Sequence, residues 1–122
     1  MIDDSPTSIS LYERSAASLD VELAVFDSPA SSMRHLLDHD ADLVFLDILM
    51  RERDGMSVLR ELRALDRHQS TRVVIVTSKD YFQDRARAKE LGATDYLVKP
   101  LRSQEIRDII QQATGAVTKA DG

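Results

Sequence analysis

The chain has 122 residues and a net charge of −5 at neutral pH, enough length for one domain with its own core. It contains no cysteine, which excludes disulfides, thiolate catalysis and cysteine-ligated zinc. Its acidic balance argues against direct nucleic-acid binding by this domain, because phosphate contacts need clustered lysine and arginine. No apolar run approaches the roughly 18 residues that cross a bilayer. The start, Met1-Ile2-Asp3-Asp4, lacks the basic and apolar stretches of a secretion signal, so a cytoplasmic location without membrane contact is expected.

In chain order, short apolar runs alternate with segments of helical period, the pattern of βα units around a mostly parallel sheet. Met1-Ile2 is a first strand reduced to its end, as though trimmed. Ser5-Pro6 opens a helix carried by Ile9, Tyr12, Ala16 and Leu19. Residues 21–26 form a second strand, at a sheet edge given Glu22. Ser28-Pro29 opens a second helix that ends near His39. Leu43 to Leu46 is apolar without alternation, as in a strand covered on both faces.

A third helix runs from Gly55 to Leu65, and a fourth strand from Arg72 to Thr77. The fourth helix spans about Asp80 to Leu91 and stops at Gly92, a left-handed cap position. A fifth strand, Asp95 to Val98, leads into Lys99-Pro100. The last helix has a one-sided stripe of Ile106, Ile109, Ile110 and Ala113. The result is one domain over 1–114 with a tail at 115–122. Its five parallel strands are expected in the order 2-1-3-4-5, with helices one and five on one face and two to four on the other.

Four of these strands end in polar residues: Asp3-Asp4, Asp47, Thr77 and Lys99. Parallel strands bring those ends to one edge, where open α/β sheets bind ligands. Singly, each has an ordinary role. Asp3 or Asp4 could cap a helix, Asp47 could form a turn, Thr77 could bond its own backbone, and Lys99 could be a surface charge. The ordered set is what points to phosphate chemistry.

With Asp54-Gly55, Gly92-Ala93-Thr94-Asp95-Tyr96 and Lys99-Pro100, and with 30 residues from Asp47 to Thr77 and 22 from Thr77 to Lys99, the chain resembles the receiver domain of two-component response regulators, including the single-domain chemotaxis regulators. The resemblance runs from Asp3 to about Ala113. It implies a flavodoxin-like (βα)5 three-layer sandwich and a signalling domain that catalyses only its own phosphotransfer and dephosphorylation. In that family the aspartate matching Asp47 accepts a phosphoryl group from a histidine kinase or a His-phosphotransfer protein, with Mg²⁺. By resemblance Asp4 and Asp47 are direct metal ligands, Asp3 acts mainly through water, and the Leu49 backbone carbonyl completes the set. Lys99 and Thr77 meet the phosphoryl oxygens, and Tyr96 is the aromatic switch partner of Thr77.

The resemblance further implies a cis peptide before Pro100 and a switching surface on the fourth helix, fifth strand and fifth helix, which also serves dimerisation in relatives. Leu49 and Lys79 match positions that tune the acyl-phosphate lifetime. Helix one is the expected kinase-docking element, with Ser8, Leu11, Ser15 and Ser18 on its outer face. Arg51 stands where the family usually has proline. The alternative is a phosphorylation-independent receiver acting as an interaction module. A haloacid-dehalogenase phosphatase would need a second aspartate where Leu49 stands, and a flavodoxin relative would set Asp3-Asp4 against the flavin phosphate. His35 and His39 have a metal-ligand spacing but no third partner, which favours a solvated helix face. His68 falls in a polar loop.

Overall fold

The computed structural model describes residues 1–50 and 54–117; Arg51 and the end of the tail lie outside them. Eight regular elements follow one another: α1 (Pro6–Ala17), α2 (Pro29–Asp38), β1 (Leu43–Asp47), α3 (Gly55–Ala64), β2 (Arg72–Thr77), α4 (Phe82–Glu90), β3 (Asp95–Val98) and α5 (Ser103–Thr114). A single 3-10 turn, Asp66–His68, joins α3 to β2. No helix among the described residues is long and apolar enough to cross a membrane.

The helix starts follow from local chemistry. Ser5 and Ser28 sit at N-caps, each followed by proline at the first helical position. Their hydroxyls accept the Ser8 N–H at 3.4 Å and the Ser31 N–H at 3.2 Å. The Asp54 carboxylate caps α3 by accepting the Met56 N–H at 2.9 Å. Gly92 (φ 94°) takes the left-handed turn that ends α4. The outer helix limits are tighter than the periodicity suggests: α1 stops at Ala17 and α4 begins at Phe82.

β1, β2 and β3 form a parallel ladder in that order, with Asp47 opposite Val76 and Thr77 opposite Val98. The two remaining expected strands shrink to single bridge positions, Ile2 between Phe26 and Leu46. The order is therefore the expected one, but the sheet has three full strands rather than five. Pairing there runs through Met1–Asp3, which meets Ala24 and Phe26 on one side and Phe45 and Asp47 on the other.

Two apolar layers enclose the sheet. α2, α3 and α4 cover one face with Leu36, Leu59, Leu62 and Ala88. α1 and α5 cover the other with Tyr12, Ala16, Ile106 and Ile110. This is the α/β, flavodoxin-like arrangement, with helices on the predicted faces. Each fully buried Leu, Ile or Val contributes about 1.5–3 kcal/mol. Polarity along α1 departs from expectation, however. Ser15 is fully buried and Leu11 half-buried against the α5 layer, so neither forms an outer face. Ser15 can be buried because its hydroxyl donates to the Leu11 carbonyl at 2.7 Å.

Candidate functional site

At the C-terminal edge of the sheet the strand ends converge. Asp3 and Asp47 are buried and Asp4 is half-buried. One carboxylate oxygen from each of the three lies within 4.8 Å of the others. Asp3 Oδ1 accepts the Ser5 N–H at 2.9 Å, and Asp47 Oδ1 accepts the Leu49 N–H at 2.9 Å. Their second oxygens share one cation: Lys99 Nζ donates to Asp3 Oδ2 at 2.9 Å and to Asp47 Oδ2 at 3.2 Å. The Lys99–Pro100 peptide is cis.

Among the described residues, the Lys99 ammonium is shared by two of the three carboxylates, Asp3 and Asp47, in a partly buried pocket. Burial pushes the Asp47 carboxyl above the usual carboxylate range and Asp3 adds to the rise, against the Leu49 N–H and Lys99. Burial opposes the Lys99 charge, yet Asp3 and Asp47 outweigh it and raise its pKa. An all-oxygen donor set of three carboxylates fits a hard divalent cation such as Mg²⁺.

Gly55 holds the floor of the site. A Cβ there would come 2.6 Å from both the Asp47 carbonyl oxygen and the Ile48 Cα, so α3 can begin this close to the end of β1 only with glycine. Leu49 is exposed and bridges Asp54 across the loop.

Thr77 is fully buried, and its hydroxyl is engaged in its own turn. It donates to the Lys79 carbonyl at 3.2 Å and accepts the Lys79 N–H at 3.1 Å. Tyr96 Oη is buried with no hydrogen-bond partner among the described residues. The Arg85 guanidinium lies over its ring at 4.7 Å from the centroid. Burial raises the Tyr96 pKa, and Asp84 and Asp80 add to the rise.

A cleft of about 560 Å³ opens onto the acidic cluster, lined by Asp4, Ser8, Leu11, Tyr12, Asp47 and Lys99. Leu11 therefore reaches the site from the half-buried side of α1. His35 and His39 do not converge on a metal: their rings stack at 4.0 Å, and His35 also packs on Phe26.

Sequence reasoning passed over His68. It is fully buried, its Nε2 donating to the Leu36 carbonyl at 2.6 Å while Nδ1 meets Thr71 Oγ1 at 3.0 Å. It ties α2 to the start of β2. Nothing in the polar stretch around it distinguishes a buried tie from a surface histidine.

Comparison with known proteins identifies the family and agrees with the fold. Residues 1–111 match the family described as response regulator receiver domain. The transcriptional regulatory protein PrrA of Mycobacterium bovis is 32% identical over 106 residues, 87% of this chain and 45% of that protein. CiaR of Streptococcus pneumoniae is 41% identical over 70 residues, 57% of this chain and 30% of that protein. The chain thus spans less than half the length of these curated relatives. Among solved structures, the phosphorylated cyanobacterial phytochrome response regulator RcpA superposes with a TM-score of 0.85 at 20% identity, covering 97% of this chain and 94% of that one. The receiver domain of a Pseudomonas aeruginosa sensor histidine kinase, with magnesium coordinated in its active-site cleft, gives 0.82 at 24% identity, covering 93% of each.

Proposed function

Given that this chain belongs to the response regulator receiver domain family of two-component signalling, we propose that Asp47 accepts a phosphoryl group from the phosphohistidine of a sensor histidine kinase or His-phosphotransfer protein. The observation that carries this reading is the Lys99 ammonium shared between Asp3 and Asp47 within a three-carboxylate cluster.

In the transfer, an Asp47 carboxylate oxygen bonds to phosphorus as the bond from phosphorus to the donor imidazole nitrogen breaks. The histidine leaves with that electron pair and takes up a proton. Such a reaction asks the protein chiefly for positioning and charge stabilisation. Asp4, Asp47 and the Leu49 carbonyl would hold Mg²⁺ directly, and Asp3 mainly through water. Bound there, the ion would offset the negative charge that otherwise repels an incoming phosphate. Lys99 is already aimed at Asp47 Oδ2 and would move with little rearrangement onto a phosphoryl oxygen. The cleft beside Ser8 and Leu11 gives the donor imidazole its approach.

The signal then passes through Thr77 and Tyr96. To reach the phosphoryl oxygens, the Thr77 hydroxyl gives up its two contacts with Lys79. Tyr96, whose buried hydroxyl has no hydrogen-bond partner among the described residues, turns into the space vacated and reshapes the surface of α4, β3 and α5. Tyr81 and Phe82 stand exposed beside that surface, which we assign to the output partner or to a second copy of the chain. The test is an Mg²⁺ titration: Asp4→Ala is expected to bind about tenfold or more weakly than the unaltered chain. Equal affinities would overturn the assignment of the acidic cluster.

A further inference from the structure

Thr77 closes β2, and Tyr96 stands on β3 opposite Ile75. Away from the acidic cluster, a line of contacts joins the two. The Thr77 hydroxyl is bonded to the backbone of Lys79 on both sides of the peptide unit. The next residue, Asp80, grips Arg85 with both carboxylate oxygens: Nε donates to Oδ1 at 2.6 Å and Nη2 to Oδ2 at 3.2 Å. Arg85 lies near the start of α4, and its guanidinium covers the Tyr96 ring at 4.7 Å from the centroid.

Both partners of the Asp80–Arg85 pair are about half exposed, so the pair itself adds little to stability. Its two-pronged geometry supplies direction instead. A planar guanidinium held along one edge by a carboxylate keeps its face free to stack on an aromatic ring. The Tyr96 hydroxyl gives that ring no polar anchor, being buried with no hydrogen-bond partner among the described residues. The cation over the ring face is what favours its present place.

We propose, on the reading of Thr77 and Tyr96 as the switch pair, that Arg85 is a positioning residue of that switch: aimed by Asp80, it latches the Tyr96 ring in its resting place and lets go when the turn carrying Asp80 moves with Thr77. As the Thr77 hydroxyl swings toward a phosphoryl oxygen, the turn it closes with Lys79 rearranges. Asp80, the adjacent residue, is carried with that turn. Arg85 then loses its brace, and Tyr96 loses its cover. Ring movement thus depends on release of a stacked cation as well as on a vacated space. A cation over an aromatic ring at an exposed site favours the stacked arrangement about two- to fivefold. That bias is small enough for phosphorylation to override, and it sets how often the ring turns at rest.

Relaxation-dispersion NMR of the labelled Tyr96 ring in the unphosphorylated protein measures the population of the turned ring. Arg85→Met keeps an unbranched stem but removes the guanidinium, and is expected to raise that population about two- to fivefold. Asp80→Asn should shift it in the same direction. Added to Arg85→Met, Asp80→Asn should change nothing further, because Asp80 acts only through Arg85. Two unrelated packing losses would add instead. An unchanged population in Arg85→Met would overturn the proposal, as would an Asp80→Asn effect that survives in the Arg85→Met background. None of these populations needs a phosphoryl donor. Failure of Asp47 to take up a phosphoryl group, read by intact mass in the same proteins, therefore counts against the transfer reaction and leaves the latch to be judged by the resting ring alone.

Discussion

Lys99 Nζ stands 3.2 Å from Asp47 Oδ2, an ion pair with both partners largely withdrawn from water. It makes stability depend on pH in two opposite ways. Asp47 has a folded pKa above its unfolded value, so its ionisation destabilises the fold as pH rises from about 4. Lys99 has a raised folded pKa, so its contribution is complete below about pH 10.5 and is lost above that. Without Mg²⁺, Asp47→Asn is therefore expected to gain stability at pH 7, with the gain vanishing below about pH 4. Denaturant unfolding at several pH values measures it, and a loss of stability at pH 7 contradicts the charge argument.

Thr77→Ala removes a buried hydroxyl and leaves the Lys79 N–H and carbonyl without their partner. The cost is about 1–2 kcal/mol. Phosphorylation at Asp47 should persist while the rearrangement around Tyr96 is lost. Spectra of the ring of Tyr96, before and after phosphorylation, report this; a full spectral change in the variant removes Thr77 from the switch.

Gly55→Ala places a methyl against backbone rather than flexible side chain. The start of α3 or the end of β1 must shift, at about 2–3 kcal/mol, and Asp47 with it. The variant should lose both stability and Mg²⁺ affinity. Unchanged values in thermal unfolding and titration mean that the two elements part without cost.

Much of this was legible in the sequence because the signals were local. Ser5-Pro6, Ser28-Pro29 and Asp54-Gly55 each combine a cap with a residue suited to the first turn, and those helices begin there. Arg72–Thr77 and Asp95–Val98 are strands at the expected residues. The meeting of Asp3, Asp47 and Lys99 followed from parallel strands ending at one edge. What failed depended on partners. Residues 21–26 carry a strand pattern, but among them the bridge to Ile2 is made at Phe26, with Ala24 adding one hydrogen bond to Met1 N. Ser15 and His68 look like surface residues until their hydrogen bonds to Leu11 and Leu36 show how burial is tolerated. The engagement of Thr77 with Lys79 likewise depends on turn geometry that composition does not encode.

The central claim is that Asp47 carries the phosphoryl group, and intact-mass spectrometry after incubation with acetyl phosphate and Mg²⁺ tests it most directly. The unaltered chain should gain the mass of one phosphoryl group, labile in acid or base, and folded Asp47→Asn should gain none. An unmodified mass in the folded parent chain, or the same gain in the variant, would contradict the account.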